Sequence, residues 1–121
     1  MKRWLLAGVI ALVSGAAQAK DIVIALLYGK TGPLEAYATQ TETGLMMGLE
    51  YATGGSMAVA GNKLTVIKKD DQGKPDLAKS LLAAAYGDDK ADIAIGTTSS
   101  GAALAMLPVA EEYKKLLLVD P

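Results

Sequence analysis

The chain predicts an α/β fold: a parallel, Rossmann-like sheet with flanking helices. Three observations carry that prediction. Apolar runs of strand length alternate with stretches of helical periodicity, in the order strand, helix, strand, helix, strand, helix, strand. The first strand is apolar at nearly every position, as a strand covered on both faces must be. Gly, Thr, Ser, Asp and Pro cluster where strands end, which places polar turns at the carboxyl edge of the sheet, where open α/β sheets bind ligands.

Before the first strand stands a segment of another kind. Met1 to Arg3 carry two positive charges, Trp4 to Val13 is an uncharged apolar run, and Ser14 to Ala19 ends in Ala17-Gln18-Ala19. A basic start, a short apolar centre and an A-x-A ending describe a cleavable secretory signal peptide over residues 1–19. As a helix the ten apolar residues would cover about 15 Å, half of a bilayer core of about 30 Å, too short for an anchor. The mature chain, residues 20–121, is therefore expected to be exported and free of membrane insertion. It keeps ten lysines against thirteen acidic residues, and loses the one Arg and the one Trp. No Cys follows the cleavage site, which disfavours lipid anchoring.

Asp21 to Leu27 is the first strand, closed by Gly29-Lys30-Thr31-Gly32-Pro33. From about Tyr37 to Thr53, apolar and small residues at 41, 44, 45, 48, 49 and 52 form a helical stripe, stopped by Gly54-Gly55. Lys63 to Lys69 alternates as a second strand and ends at Asp70-Asp71. Pro75 and Asp76 open a helix running to Tyr86. Ala91 to Ile95 is a third strand, followed by the hydroxyl-rich loop Gly96 to Gly101. Ala102 to Tyr113 is a third helix, in which Pro108 must kink the axis or free one carbonyl. Leu116 to Asp120 is the fourth strand, and the sequence stops at Pro121 as that strand emerges. One incomplete lobe of a longer protein is expected. Residues 20–121 alone should be poorly soluble or weakly ordered, with a cleft surface and a sheet edge left open.

Composition removes much chemistry. The 121 residues are 51% apolar and 21% charged, enough for a packed core, with no Cys, His or Phe. Lacking Cys, the chain has no disulfide, thiolate nucleophile or Cys-based zinc site. Lacking His, it has no Ser-His-Asp triad and misses the commonest metal ligand. A formal net charge of −1 gives no basic footprint for nucleic acid. No catalytic residue, metal site or cofactor is expected.

The motifs differ in weight. Gly29-Lys30-Thr31 resembles the tail of a phosphate loop, but the position five before Gly29 is Ile24, not Gly. Asp70-Asp71 reads as a strand-end turn with Asp71 supporting the next segment, against a Mg²⁺ or phosphoryl-acceptor pair. Gly44-x-x-x-Gly48, flanked by Glu42 and Glu50, belongs to a water-soluble helix whose glycines are expected to approach the sheet. Thr31 to Tyr37 leaves the first strand on the ligand edge. Tyr37 there either meets an organic ligand or staples its helix to the sheet.

Gly96 to Gly101 is the strongest signal. Ser99 or Ser100 stands where an N-cap belongs, yet capping leaves the other hydroxyls of Thr97, Thr98, Ser99 and Ser100 unexplained. A helix N-terminus presents free N–H groups and about half a positive charge, so hydroxyls gathered there suit an anionic group such as a carboxylate. With no Arg after residue 19, this segment has no guanidinium clamp.

Four features in order resemble the periplasmic solute-binding proteins of ABC importers, in the branched-chain amino-acid (Leu/Ile/Val-binding) family. These are Thr31-Gly32-Pro33 followed by Tyr37, then Asp70-Asp71 followed by Pro75, then Gly96 with Ser100-Gly101, then Ala105 to Glu112 with Pro108. The wording around Thr31 to Gly44 and Gly96 to Glu112 looks closer to members that bind aromatic acids. The resemblance implies two Rossmann-like lobes closing on a small solute, of which residues 20–121 are most of the first. It implies that Ser100 bonds the solute carboxylate, with Ser99 and Thr98 beside it and Tyr37 lining the cleft. It implies a non-catalytic role in the periplasm with an inner-membrane ABC permease as partner. A sensor domain of the same fold is the alternative. An exported α/β enzyme is a third reading, with Asp70 or Asp71 the only obvious base in this segment.

Overall fold

A computed structural model describes residues 19–120; the signal segment falls almost wholly outside them. The elements are β1 (Ile22–Tyr28), α1 (Glu35–Ala52), β2 (Ala58–Val59), β3 (Asn62–Asp70), α2 (Pro75–Gly87), β4 (Ile93–Ile95), α3 (Ser100–Tyr113) and β5 (Leu116–Leu118). They build one five-stranded sheet in the order β2-β3-β1-β4-β5. β1 runs parallel to β3 and to β4, and β4 parallel to β5.

β1 is central, and alternation divides its side chains between two cores. Ala25 and Leu27 meet α2 and α3 through Ala78, Leu82, Ala85, Met106 and Val109. Leu26 and Tyr28 point the other way, onto Ala38 and Leu45 of α1. Each fully buried leucine here adds about 2 kcal/mol of apolar burial. The small side chains of Ala78, Ala85 and Ala102, all fully buried, let α2, α3 and the sheet close on one another. Pro108 lies within α3 without ending it. The carbonyl it leaves without a donor is that of Leu104, whose residue is exposed and can be served by water.

Two expectations are corrected. The sheet is not wholly parallel, since β2 pairs antiparallel with β3, Ala58 opposite Lys63 and Val59 opposite Asn62. Two residues between positive-φ positions Met57 and Ala60 carry no alternation to read. Gly44 and Gly48 do not approach the sheet either: a Cβ on either would meet nothing within 4 Å. The inward face of α1 is Ala38, Thr41, Glu42, Leu45, Met46 and Leu49. The stripe is rotated because Glu42 turns inward, its carboxylate 2.6 Å from the Lys68 ammonium on β3. That ion pair, seconded by Tyr28, holds the Glu42 carboxyl below the usual range.

The chain runs from β1 to β3 on one side, then returns past β1 to β4 on the other. The loops after β1 and β4 therefore lead to helices on opposite faces. A crevice opens between them at the carboxyl ends of the strands, the usual ligand position in such sheets.

Candidate functional site

The crevice is built on the loop from Gly96 to Ser99. Gly96 donates its N–H to the Leu118 carbonyl at 3.0 Å and lies at φ +144°. A Cβ there would stand 2.0 Å from the Leu27 carbonyl oxygen, so only glycine lets the loop press against β1. Thr97 is 2% exposed, and its hydroxyl donates to Oδ2 of Asp71. Asp71 is itself fully buried, and its Oδ1 accepts from the Gly73 N–H at 2.7 Å. Its own N–H donates to the Tyr28 carbonyl at 3.0 Å. The ends of β1 and β3 and the loop after β4 are thus tied at one point.

Ser99 is the N-cap of α3. Its extended backbone (φ −102°, ψ 120°) sets Oγ to accept from the Ala102 N–H at 3.4 Å. Thr98 Oγ1 accepts from the Gly29 N–H at 3.4 Å. These bonds fix a direction. A hydroxyl has one proton and two lone pairs, so Thr98 and Ser99, each accepting from a backbone N–H, keep their protons free to donate. Ser100 stands exposed in the first turn of α3, in the positive field of the helix end.

A cavity of about 310 Å³ opens against these groups. Thr97, Thr98 and Ser100 give it a polar end, and Ala103, Leu104, Leu107 and Val119 an apolar wall; Asp120 lines it too, its Oδ1 buried without a hydrogen-bond partner among the described residues. Thr41 of α1 donates to Asp120 Oδ2 at 3.1 Å, which turns one carboxylate oxygen toward α1. No lysine lines the cavity. The arrangement can hold a small molecule with an acceptor at one end and an apolar body at the other.

Of the residues singled out in the sequence, Ser100 and Thr98 line the cavity. Ser99 borders them as the cap. Tyr37 is 64% exposed on the first turn of α1 and is not among the cavity's lining residues. The sequence reading missed Leu104 and Leu107, although they lie four and seven residues after Ser100 and so on its face of the helix. It assigned Asp71 to its own turn, and the Gly73 contact agrees, but the Thr97 contact was not foreseen. Among the described residues no group of three acidic side chains is placed to hold a metal ion.

Asp70, beside Asp71, latches the turn after β1. Its carboxylate accepts from the Thr31 hydroxyl at 2.7 Å, the Thr31 N–H at 3.2 Å and the Gln72 N–H at 3.0 Å. Desolvation pushes its pKa up, but these donors outweigh it and hold the carboxyl below the usual range. A depressed folded-state pKa adds stability above the unfolded value of about 3.9, lost as pH falls through the folded one. The melting-temperature gap between the wild type and Asp70→Asn is accordingly expected to be widest near neutrality and to close below about pH 4. A gap that stays constant down to about pH 2 would contradict the latch.

Known proteins share this architecture. A family model described as periplasmic binding protein matches residues 21–121. A solved structure described as an ABC transporter from Rhodopseudomonas palustris is 73% identical with a TM-score of 0.82, covering 84% of this chain and 30% of that one. An ABC-type branched-chain amino acid transporter from R. palustris CGA009 has the same identity and TM-score over 84% of this chain and 27% of its own. A solute binding protein of an ABC transporter from R. palustris BisB5, in complex with 3,4-dihydroxybenzoic acid, is 29% identical with a TM-score of 0.75. That match covers 82% of this chain and 26% of the other. The chain thus spans less than a third of the length of these structures. No curated protein matches it significantly.

Proposed function

The chain belongs to the periplasmic binding protein family, and we propose that it is the solute-gripping first lobe of the substrate-binding component of an ABC importer. It would be exported by residues 1–19 and would work in the periplasm. There it captures a small carboxylate-bearing solute and presents it to an inner-membrane permease, without transforming it. One observation carries this reading. Thr98 and Ser99 accept from backbone N–H groups and so keep protons to donate, beside Ser100 and the positive end of α3. In this reading Ser100, Thr98 and Ser99 hold the carboxylate, and Tyr37 lines the cleft outside the cavity itself.

The apolar wall of Leu104, Leu107 and Val119 suits a ring or a branched aliphatic body. The sequence wording and the similarity to a dihydroxybenzoic-acid binder support an aromatic acid, while the 73% identical structure described as a branched-chain amino acid transporter keeps an aliphatic amino acid as the second candidate. The test is to titrate the full-length protein with benzoate, 3,4-dihydroxybenzoate, coumarate, leucine and valine while following melting temperature. A solute at a hundred times its Kd adds about 2.7 kcal/mol, and the aromatic acids should give the larger shifts. No shift with any of the five would overturn the reading.

Leu104 is 68% exposed and Leu107 49% exposed, so neither contributes much to the core. Leu104→Ala is expected to weaken solute binding about tenfold, the loss of roughly 1.4 kcal/mol of apolar contact, with an unchanged melting temperature for the unliganded protein. Calorimetric titration alongside a thermal melt checks both halves.

A further inference from the structure

We propose that Asp71 is a positioning residue for solute capture: its buried carboxylate fixes Thr97 and thereby aims the hydroxyls of Thr98, Ser99 and Ser100. Asp71 touches none of the cavity, so its part is indirect. Three observations carry the assignment.

Asp71 is fully buried and makes no ion pair among the described residues. A buried carboxylate without a counter-ion is a costly occupant of a core and is held there by its hydrogen bonds. Those bonds are few and specific. The Gly73 N–H holds Oδ1, and the Thr97 hydroxyl, 26 residues along the chain, holds Oδ2.

A carboxylate only accepts, so it commits the one Thr97 proton to itself. Thr97 is left with lone pairs alone, and an anionic solute must look to the next three residues for its donors. Thr98 is pinned in turn by the Gly29 N–H, and Gly29 directly follows Tyr28, whose carbonyl takes the Asp71 N–H. Asp71 therefore sets both where the loop sits and which of its hydroxyls can give a proton. Asparagine would not replace it. Its NH₂ would face a donor at either Gly73 or Thr97 unless the threonine hydroxyl reversed, which frees the wrong proton.

The functional half of this inference rests on the solute reading above, so the experiment has two readouts. In the full-length protein, Asp71→Asn, Thr97→Val, Thr97→Ser and the double variant combining Asp71→Asn with Thr97→Val are compared by amide hydrogen exchange without solute. They are then compared by Kd for 3,4-dihydroxybenzoate, benzoate and leucine. Exchange across residues 97–103 should rise about tenfold in Asp71→Asn and Thr97→Val, with α2 unaffected. The Kd of the best probe should weaken about tenfold in each, the double variant losing little more than either single one. Thr97→Ser, which keeps the hydroxyl, should match the wild type in both.

Unaltered exchange and Kd in Asp71→Asn and Thr97→Val would overturn the proposal, as would losses that multiply in the double variant. If Asp71→Asn does not fold, the contrast between Thr97→Val and Thr97→Ser decides. If the wild type binds none of the probes, the solute reading falls, and exchange alone still rules on whether Asp71 orders the loop.

Discussion

Replacing Gly96 with alanine is expected to cost about 4 kcal/mol or more of stability, at the severe end for a single residue. It should also abolish solute binding. The added Cβ would stand 2.0 Å from the Leu27 carbonyl oxygen and 3.0 Å from its carbon. Both are backbone atoms of the central strand, so no side chain can swing aside. Leu27 itself is fully buried between the sheet and the α2–α3 layer, so β1 has no room to retreat. The φ of +144° at Gly96 adds conformational strain for any residue with a Cβ. Chemical denaturation of the full-length variant measures the first effect and titration the second. A variant within about 1 kcal/mol of the wild type would show that the loop does not rest on β1 as described.

Ser100→Asp is expected to separate binding from folding. An acidic residue in the first turn of α3 is favourable to the helix by about 0.5 kcal/mol, so the melting temperature should hold or rise. The same carboxylate would occupy the place of the solute's own, and like charges so close cost several kcal/mol. Affinity for every carboxylate probe should fall more than about a hundredfold, or about 2.7 kcal/mol. Ser100→Ala, which only deletes a donor, should lose about tenfold. If Ser100→Asp binds an acid as tightly as the wild type, the solute carboxylate does not sit at α3.

The order of elements was legible because each is declared locally. β1 is a continuous apolar run, α2 opens on Pro75-Asp76, and the loop before α3 is bracketed by two glycines. The faces were less legible. The inward turn of Glu42 depends on Lys68, a partner on another element, and no count of apolar spacing contains it. β2 is too short to alternate. At the site, the sequence placed the hydroxyl cluster but not the division of labour within it. That Ser99 caps while Ser100 faces the cavity follows from one hydrogen bond to Ala102. The Asp71–Thr97 contact joins two loops that only the folded sheet brings together, so neither residue advertises the other. Leu104 and Leu107 were visible as helical repeats and were absorbed into the apolar pattern of α3, because spacing cannot say whether a face meets core or cavity.

The ridge formed by Leu104 and Leu107 has an evolutionary consequence. The polar end of the crevice is fastened to the same atoms that assemble the sheet, so mutation there endangers the whole lobe. The ridge touches the cargo compartment and supports little else. On the proposed reading, descendants of this protein could change diet by exchanging two side chains on one helix, keeping the hydroxyl-lined end of the crevice while the rest of the nutrient is free to vary.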